Sequence, residues 1–196
     1  MTQRGGILSI DDASTITLQT LEGLHYAHNA DVPCVKLADG RLGRGRGLVH
    51  RDIKPSNIFL SGSGPARVAK VGDYGLAKAF DAAGLSGQTR TGSLAGTPHF
   101  MPRQQVVNLK YAKPEVDVWA MAASLYNMLT GCVPRDFPRG KDRWQVVLQT
   151  APVPIRKRQA SIPKRLAEVI DLALVDQPSL HFTTAAAFKQ ALERAL

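Results

Sequence analysis

The hydrophobic pattern of this chain changes period several times, and each change marks a predicted element. In SIDDASTITLQTLEGLHYAH (9–28), Ile16, Leu21, Leu24 and Ala27 recur at helical spacing, so the segment reads as an amphipathic helix. Ser9 suits the N-cap, and Asp12 three residues on completes a capping-box-like start. Residues 30–47 are rich in Gly and Arg and read as a surface loop, an insertion with no element of its own. NIFL (57–60) and ARVAKVGD (66–73) are short and β-branched enough for a small hairpin. Residues 79–98 carry many Gly, Ser and Thr and predict a mobile loop. From 115 onward the chain is mostly helical. VDVWAMAASLYNMLTG (116–131) is apolar nearly all round, the mark of a buried core helix. In IPKRLAEVIDLALV (162–175), Leu166, Val169, Ile170, Ala173 and Leu174 form one stripe, and TTAAAFKQALERAL (183–196) supplies a last helix. The order is helix, tiny sheet, loop and several helices: α+β, predominantly α, without internal repeat or low-complexity tract.

Composition narrows the class. With 196 residues the chain can bury a real core, and 44% hydrophobic with 21% charged residues is ordinary for a soluble globular protein. The N-terminal MTQRGGILSIDDAS lacks the apolar run of a secretory signal, and the 116–131 stretch holds Asp117 and Asn127, too polar and short to span a bilayer. Cys34 and Cys132 make no disulfide framework, so a reducing, cytoplasmic setting is expected. The net charge of +9 gathers in RLGRGRGLVHR (41–51) and IRKRQASIPKR (155–165). Such runs can follow nucleic-acid phosphates, but no aromatic residues interleave to stack bases, and a solvated basic face is the better reading. His25, His28 and Cys34 could share a metal, yet no convincing fourth ligand accompanies them, and a capped helix end is preferred.

The chemistry concentrates in LVHRDIKPSNIFL (48–60). Asp52 can accept a proton, Lys54 carries a positive charge, and Asn57 offers a neutral oxygen to a hard cation. Pro55 disfavours helix at Lys54, so the segment turns and the three side chains can converge. That grouping suits transfer of a phosphoryl group to a hydroxyl, with Mg²⁺ held by oxygen ligands.

HRDIKPSN, followed by VGDYGLAK, GTPHFM and EVDVWAMAASLYNMLTG in that order, resembles the C-terminal lobe of the bacterial, eukaryotic-like serine/threonine protein kinases. The resemblance covers nearly all of residues 1–196, with the insertion at about 30–47 and an activation segment at about 73–104. It implies ATP and Mg²⁺ as cofactors and protein Ser/Thr hydroxyls as acceptors. Asp52 would orient the hydroxyl and take its proton, Lys54 would steady the phosphate, and Thr97 would help recognise the acceptor. Asn57 and Asp73 would hold Mg²⁺, and both, with Lys54, would contact the nucleotide. Tyr74 stands where the family usually has Phe and can fill the same space, while Gly75 gives the loop backbone freedom. Arg51 would pair with a phosphate on Thr89 or Thr91, with Ser93 a weaker acceptor. Asp117 would cap the His50–Arg51 turn. Gln104 occupies the place of a family Glu, and His181 that of its Arg partner. A Gln104–His181 hydrogen bond is therefore expected in place of the ion pair.

A kinase also needs a small N-terminal lobe. These residues contain no Gly-rich loop followed by a strand Lys, and no partner Glu helix; Gly5 and Gly6 come too close to the first helix to serve. An absent N-lobe leaves the ATP phosphates without their main cationic anchor, so the chain alone is expected to be inactive. A missing or separate N-lobe becomes a partner beside the protein substrates. Two other readings stand beside the kinase: a non-catalytic kinase-like interaction module or gene fragment, and a basic face for nucleic acid.

Overall fold

The computed structural model describes residues 6–36, 42–74, 96–108 and 112–196. The chain opens with helix α1 (Ile10–Asn29), then a hairpin of β1 (Asp31–Lys36) and β2 (Leu42–Arg46). A second hairpin follows, β3 (Ile58–Ser61) with β4 (Val68–Val71). Among the described residues the remaining α-helices are α2 (Arg103–Val107), α3 (Glu115–Thr130), α4 (Arg143–Gln149), α5 (Lys164–Ala173) and α6 (Ala185–Ala195). These residues make a mostly helical fold with two small antiparallel sheets.

α1 begins as its sequence predicts. The Ser9 hydroxyl accepts from the Asp12 amide at 3.0 Å and donates to the Asp12 carboxylate at 2.8 Å. That bond, followed by Arg67 at 2.6 Å, holds the Asp12 carboxyl below its usual range despite some desolvation. Leu21 and Leu24, one turn apart, are fully buried, and α1 packs on α3, α6 and β4.

α3 is the centre of the core. Thirteen of its residues are buried, including Trp119 and Tyr126. Their polar ends are satisfied by backbone: Trp119 Nε1 donates to the Leu174 carbonyl at 3.0 Å, and the Tyr126 hydroxyl to that of Val153 at 3.0 Å. The helix stops at Gly131, whose φ of +70° is the left-handed cap that glycine adopts at least cost. α5 and α6 close the bottom of this core through Leu166, Ile170, Phe188 and Leu192. Val169, on the same face of α5, is only partly buried.

Residues 30–47 are not a plain loop. β1 and β2 pair antiparallel, with Asp31 opposite Arg46 and Lys36 opposite Leu42 and an irregularity between Val32 and Val35. Pro33 cannot donate to the ladder, and β2 reads LGRGR, so neither strand shows an alternating apolar face. Backbone pairing forms the hairpin, and Gly47 ties its base to the end of α1 by donating to the Ala30 carbonyl at 2.8 Å. The β3–β4 hairpin pairs Ile58 with Val71 through Ser61 with Val68, as its sequence predicts. The loop expected over 79–98 lies, through residue 95, outside the described residues, as do Gly75, Thr89, Thr91 and Ser93.

Candidate active site

The site grows from the turn at 50–57. Pro55 opens a short 3-10 turn, Pro55–Asn57, and Lys54 just before it is extended, so the chain reverses and feeds β3. The reversal brings three polar groups together. Lys54 Nζ donates to the Asp52 carboxylate at 2.7 Å and to the Thr97 hydroxyl at 2.9 Å. Asn57 Nδ2 donates to the Asp52 carbonyl at 2.9 Å and more loosely to its carboxylate at 3.3 Å. Asp52 and Asn57 are buried, while Lys54 remains partly open to solvent.

Asp117 holds this turn from beneath. It lies in the first turn of α3, yet its carboxylate does not cap that helix. It accepts from the backbone N–H of His50 at 2.8 Å and of Arg51 at 2.7 Å. His28, from α1, meets the same carboxylate at 2.8 Å. His28 is thus part of the site's support rather than a metal ligand. Among the described residues no group of three or more His, Cys, Asp or Glu is placed to hold a metal. Arg51 sits at φ +68°, a strained value for a residue with a Cβ. Its amide is held by Asp117, and its carbonyl accepts from the buried Gln105 side chain at 2.6 Å.

His50 links this turn to the next loop. Its Nδ1 accepts from the Asp52 amide at 3.3 Å, so Nε2 carries the proton and donates to the Gly72 carbonyl at 2.8 Å. The Gly72 amide donates to the Asn57 carbonyl at 2.9 Å. Asp73 follows at once, at φ +62° and with an exposed side chain. The backbone at Asp73 is therefore anchored on both Asn57 and His50. Tyr74 sets its ring edge-on to His50, 4.6 Å between centroids, and burial with the nearby Asp117 charge raises its hydroxyl pKa. Gly96 closes the site from the other side. At φ +120° any side chain is strained, and a Cβ there would come within 1.9 Å of the Met101 methyl, which would have to shift, so glycine is favoured.

The expected Gln104–His181 contact does not form. Gln104 Nε2 donates to the Asp176 carbonyl at 2.8 Å, and its Oε1 is buried without a hydrogen-bond partner among the described residues. His181 is exposed and touches Phe182 edge-on at 4.8 Å. The charged groups in this region are elsewhere. Asp176 and Arg135 are buried and paired, and Arg103 joins them at 3.8 Å. Sequence reading missed Arg135, because an Arg in a loop after Pro134 looks like surface. It also missed Gln105, and it weighed His28 as a metal ligand or part of a capped helix end, without its Asp117 partner.

Comparison with known proteins shows which family the chain resembles in sequence. The family model described as "Protein kinase domain" matches residues 1–193. The chain is 36% identical over 153 residues to the serine/threonine-protein kinase Pkn1 of Myxococcus xanthus, covering 77% of this chain and 22% of Pkn1. It is 30% identical over 190 residues to the serine/threonine-protein kinase PknA of Mycobacterium tuberculosis, covering 97% of this chain and 38% of PknA. The tyrosine-protein kinase MasK of Myxococcus xanthus is 31% identical over 180 residues, 91% of this chain and 25% of MasK. The chain spans well under half the length of each of these relatives.

Proposed function

Because the chain belongs to the protein kinase domain family, we propose that its site is the acceptor half of a serine/threonine protein kinase. The observation that carries this reading is the Lys54 ammonium, which bridges the Asp52 carboxylate and the Thr97 hydroxyl. An incoming Ser or Thr hydroxyl at that bridge meets a base, a cation and a hydrogen-bonding hydroxyl together. Asp52 takes the proton as the oxygen attacks, and Lys54 offsets the negative charge that gathers on the moving phosphoryl group. Asp52 stays in place because Asn57 and the His50 turn fix its backbone.

The donor set also fits a hard cation. Asn57 commits its amide nitrogen to Asp52, which leaves the amide oxygen as its free acceptor, and Asp73 offers an exposed carboxylate nearby in the chain. Two protein oxygens suit Mg²⁺, which keeps waters and phosphate oxygens in its remaining positions. When bound, Mg²⁺ and ATP supply the charge neutralisation and the phosphoryl group. Lys54, Asn57 and Asp73 are the residues that would hold them.

These residues lack the Gly-rich loop, strand Lys and partner Glu that grip ATP in kinases, so the 196-residue chain by itself transfers phosphate negligibly. It acts as a C-terminal lobe, with an N-lobe as its missing or separate partner and protein Ser/Thr residues as its substrates. Thr89 and Thr91, outside the described residues, are the proposed acceptors of a regulatory phosphate that pairs with Arg51. The test is transfer from labelled ATP and Mg²⁺ to Ser-, Thr- and Tyr-containing peptides, by the chain alone and by the chain joined to a kinase N-lobe. Transfer to Ser or Thr only in the joined form, lost in Asp52→Ala, is expected. Robust transfer by the chain alone overturns the half-site reading, preference for Tyr overturns the substrate class, and activity indifferent to Asp52→Ala overturns the site.

A further inference from the structure

Arg135 lies in the loop after α3, and its side chain is 1% exposed. Taking a guanidinium out of water is costly, and burial does lower the Arg135 pKa against the opposing pull of Asp176. What the buried cation touches explains why it is there. Nη2 is paired with the Asp176 carboxylate, Nη1 donates to the Met101 carbonyl at 3.3 Å, and Nε donates to the Thr150 carbonyl at 3.0 Å. The guanidinium also lies over the Trp119 ring, 4.9 Å from its centroid. One side chain thus ties α3, the end of α4 and the segment after α5 to Met101.

Met101 ends a short, self-bonded turn. The Phe100 amide donates to the Thr97 carbonyl at 3.0 Å, and the Met101 amide to that of Pro98 at 3.3 Å. Thr97, at the start of that turn, accepts from Lys54, which in turn holds Asp52. The turn is fixed at one end by Lys54 and at the other by Arg135. Asp176 strengthens the second anchor by accepting from the Arg103 amide at 3.1 Å, two residues past Met101. Gln104 and His181, the positions where the kinase resemblance puts an ion pair, are neutral-capable and apart.

We propose that Arg135, with Asp176 as its counter-ion, is a positioning residue that holds the 97–101 turn so that the Thr97 hydroxyl stays on Lys54 beside Asp52. In this chain the cation that reaches Met101 comes from the loop after α3, while the Pro-x-x-Arg position holds His181. That the positioned hydroxyl serves phosphoryl transfer rests on the proposed function; the mechanical hold does not.

Amide hydrogen exchange on the full chain tests the hold without any need for catalysis. In Arg135→Met, exchange at Phe100, Met101 and Arg103 is expected to quicken about tenfold or more, the size expected for losing a charge-assisted bond. Amides of Leu21 and Leu24 in α1 should keep their protection. Arg135→Lys should recover little, since a single ammonium cannot serve three separated oxygens as a planar fork does. If Arg135→Met loses protection everywhere, Arg135→Met with Asp176→Leu removes both buried charges and is read instead. Fast exchange confined to Phe100 and Met101 in the double variant supports the proposal; Arg103 is not read there, because Asp176→Leu removes its own acceptor. Parent-like protection of Phe100 and Met101, in the single or the double variant, overturns it. Global loss of protection in the double variant overturns it as well, because Arg135 would then serve folding with no selective hold on the turn. Selective loosening together with no transfer activity in a chain joined to an N-lobe would refute the kinase reading and leave this inference standing.

Discussion

Replacing Asp117 by Asn changes one atom at a point where three donors converge. The carboxylate is wholly buried and accepts from the His50 amide, the Arg51 amide and His28 Nε2, all within 2.7–2.8 Å. An Asn keeps the shape but has a single acceptor oxygen. Its NH₂ group must then face an N–H that water cannot reach. Losing one hydrogen bond to a charged acceptor costs about 1.5–3 kcal/mol, and the stranded donor adds about 1–3 kcal/mol. Release of Arg51 from its left-handed conformation returns part of this, at most about 1–3 kcal/mol. The net loss in Asp117→Asn should be about 2–4 kcal/mol. Asp117→Ala removes both oxygens and leaves a cavity, so its loss should exceed that of Asn and approach the whole stability of a domain, about 5–15 kcal/mol. Urea unfolding followed by circular dichroism measures both; the slope m should stay constant while the midpoint falls. An Asn variant within about 0.5 kcal/mol of the parent would refute the claim that this carboxylate holds the His50–Arg51 turn.

Four further substitutions have definite expected outcomes. His99 has its pKa lowered by burial first and by Arg143 second. The unfolded imidazole takes its proton near pH 6.5, so stability is full above that and falls as pH drops towards the lower folded pKa. His99→Gln should flatten that fall, seen as the difference between two pH–stability curves; parallel curves would contradict it. Asp171, its pKa raised by burial, acts in the opposite sense at lower pH and cancels in the difference. Gly96→Ala meets both a φ of +120° and the Met101 methyl, and should cost about 2–4 kcal/mol in the same urea assay, against near neutrality if the turn can move aside. His181→Ala should change stability by less than about 0.5 kcal/mol because the imidazole is exposed. Gln104→Ala should cost about 1 kcal/mol by freeing the Asp176 carbonyl; equal losses at both positions would restore the idea that they are partners.

Local chemistry alone determined the elements whose pattern is periodic and the site whose residues are close in sequence. α1, α5 and α6 were legible because burial of an apolar face at 3.6-residue spacing needs no knowledge of what covers it, and α3 because a helix-length run apolar nearly all round must be buried. The β3–β4 hairpin was legible from its β-branched residues. Asp52, Lys54 and Asn57 could be grouped because Pro55 forces a turn between residues at most five apart. The β1–β2 hairpin was hidden, since its glycines and Pro33 erase any alternation and its stability lies in backbone pairing that side chains do not announce. Gln104 and His181 could be matched by position, but whether they touch depends on how the start of α2 meets the segment between α5 and α6, and there the backbone of Asp176 took Gln104 first. His28 on Asp117 joins residues 89 apart, and Arg135 on Met101 and Asp176 joins positions 34 and 41 apart. Nothing in the one-dimensional pattern distinguishes such buried charges from surface ones. Only packing decides it, because a polar group carries no mark of its partner until the helices around it exclude water and leave one acceptor within reach.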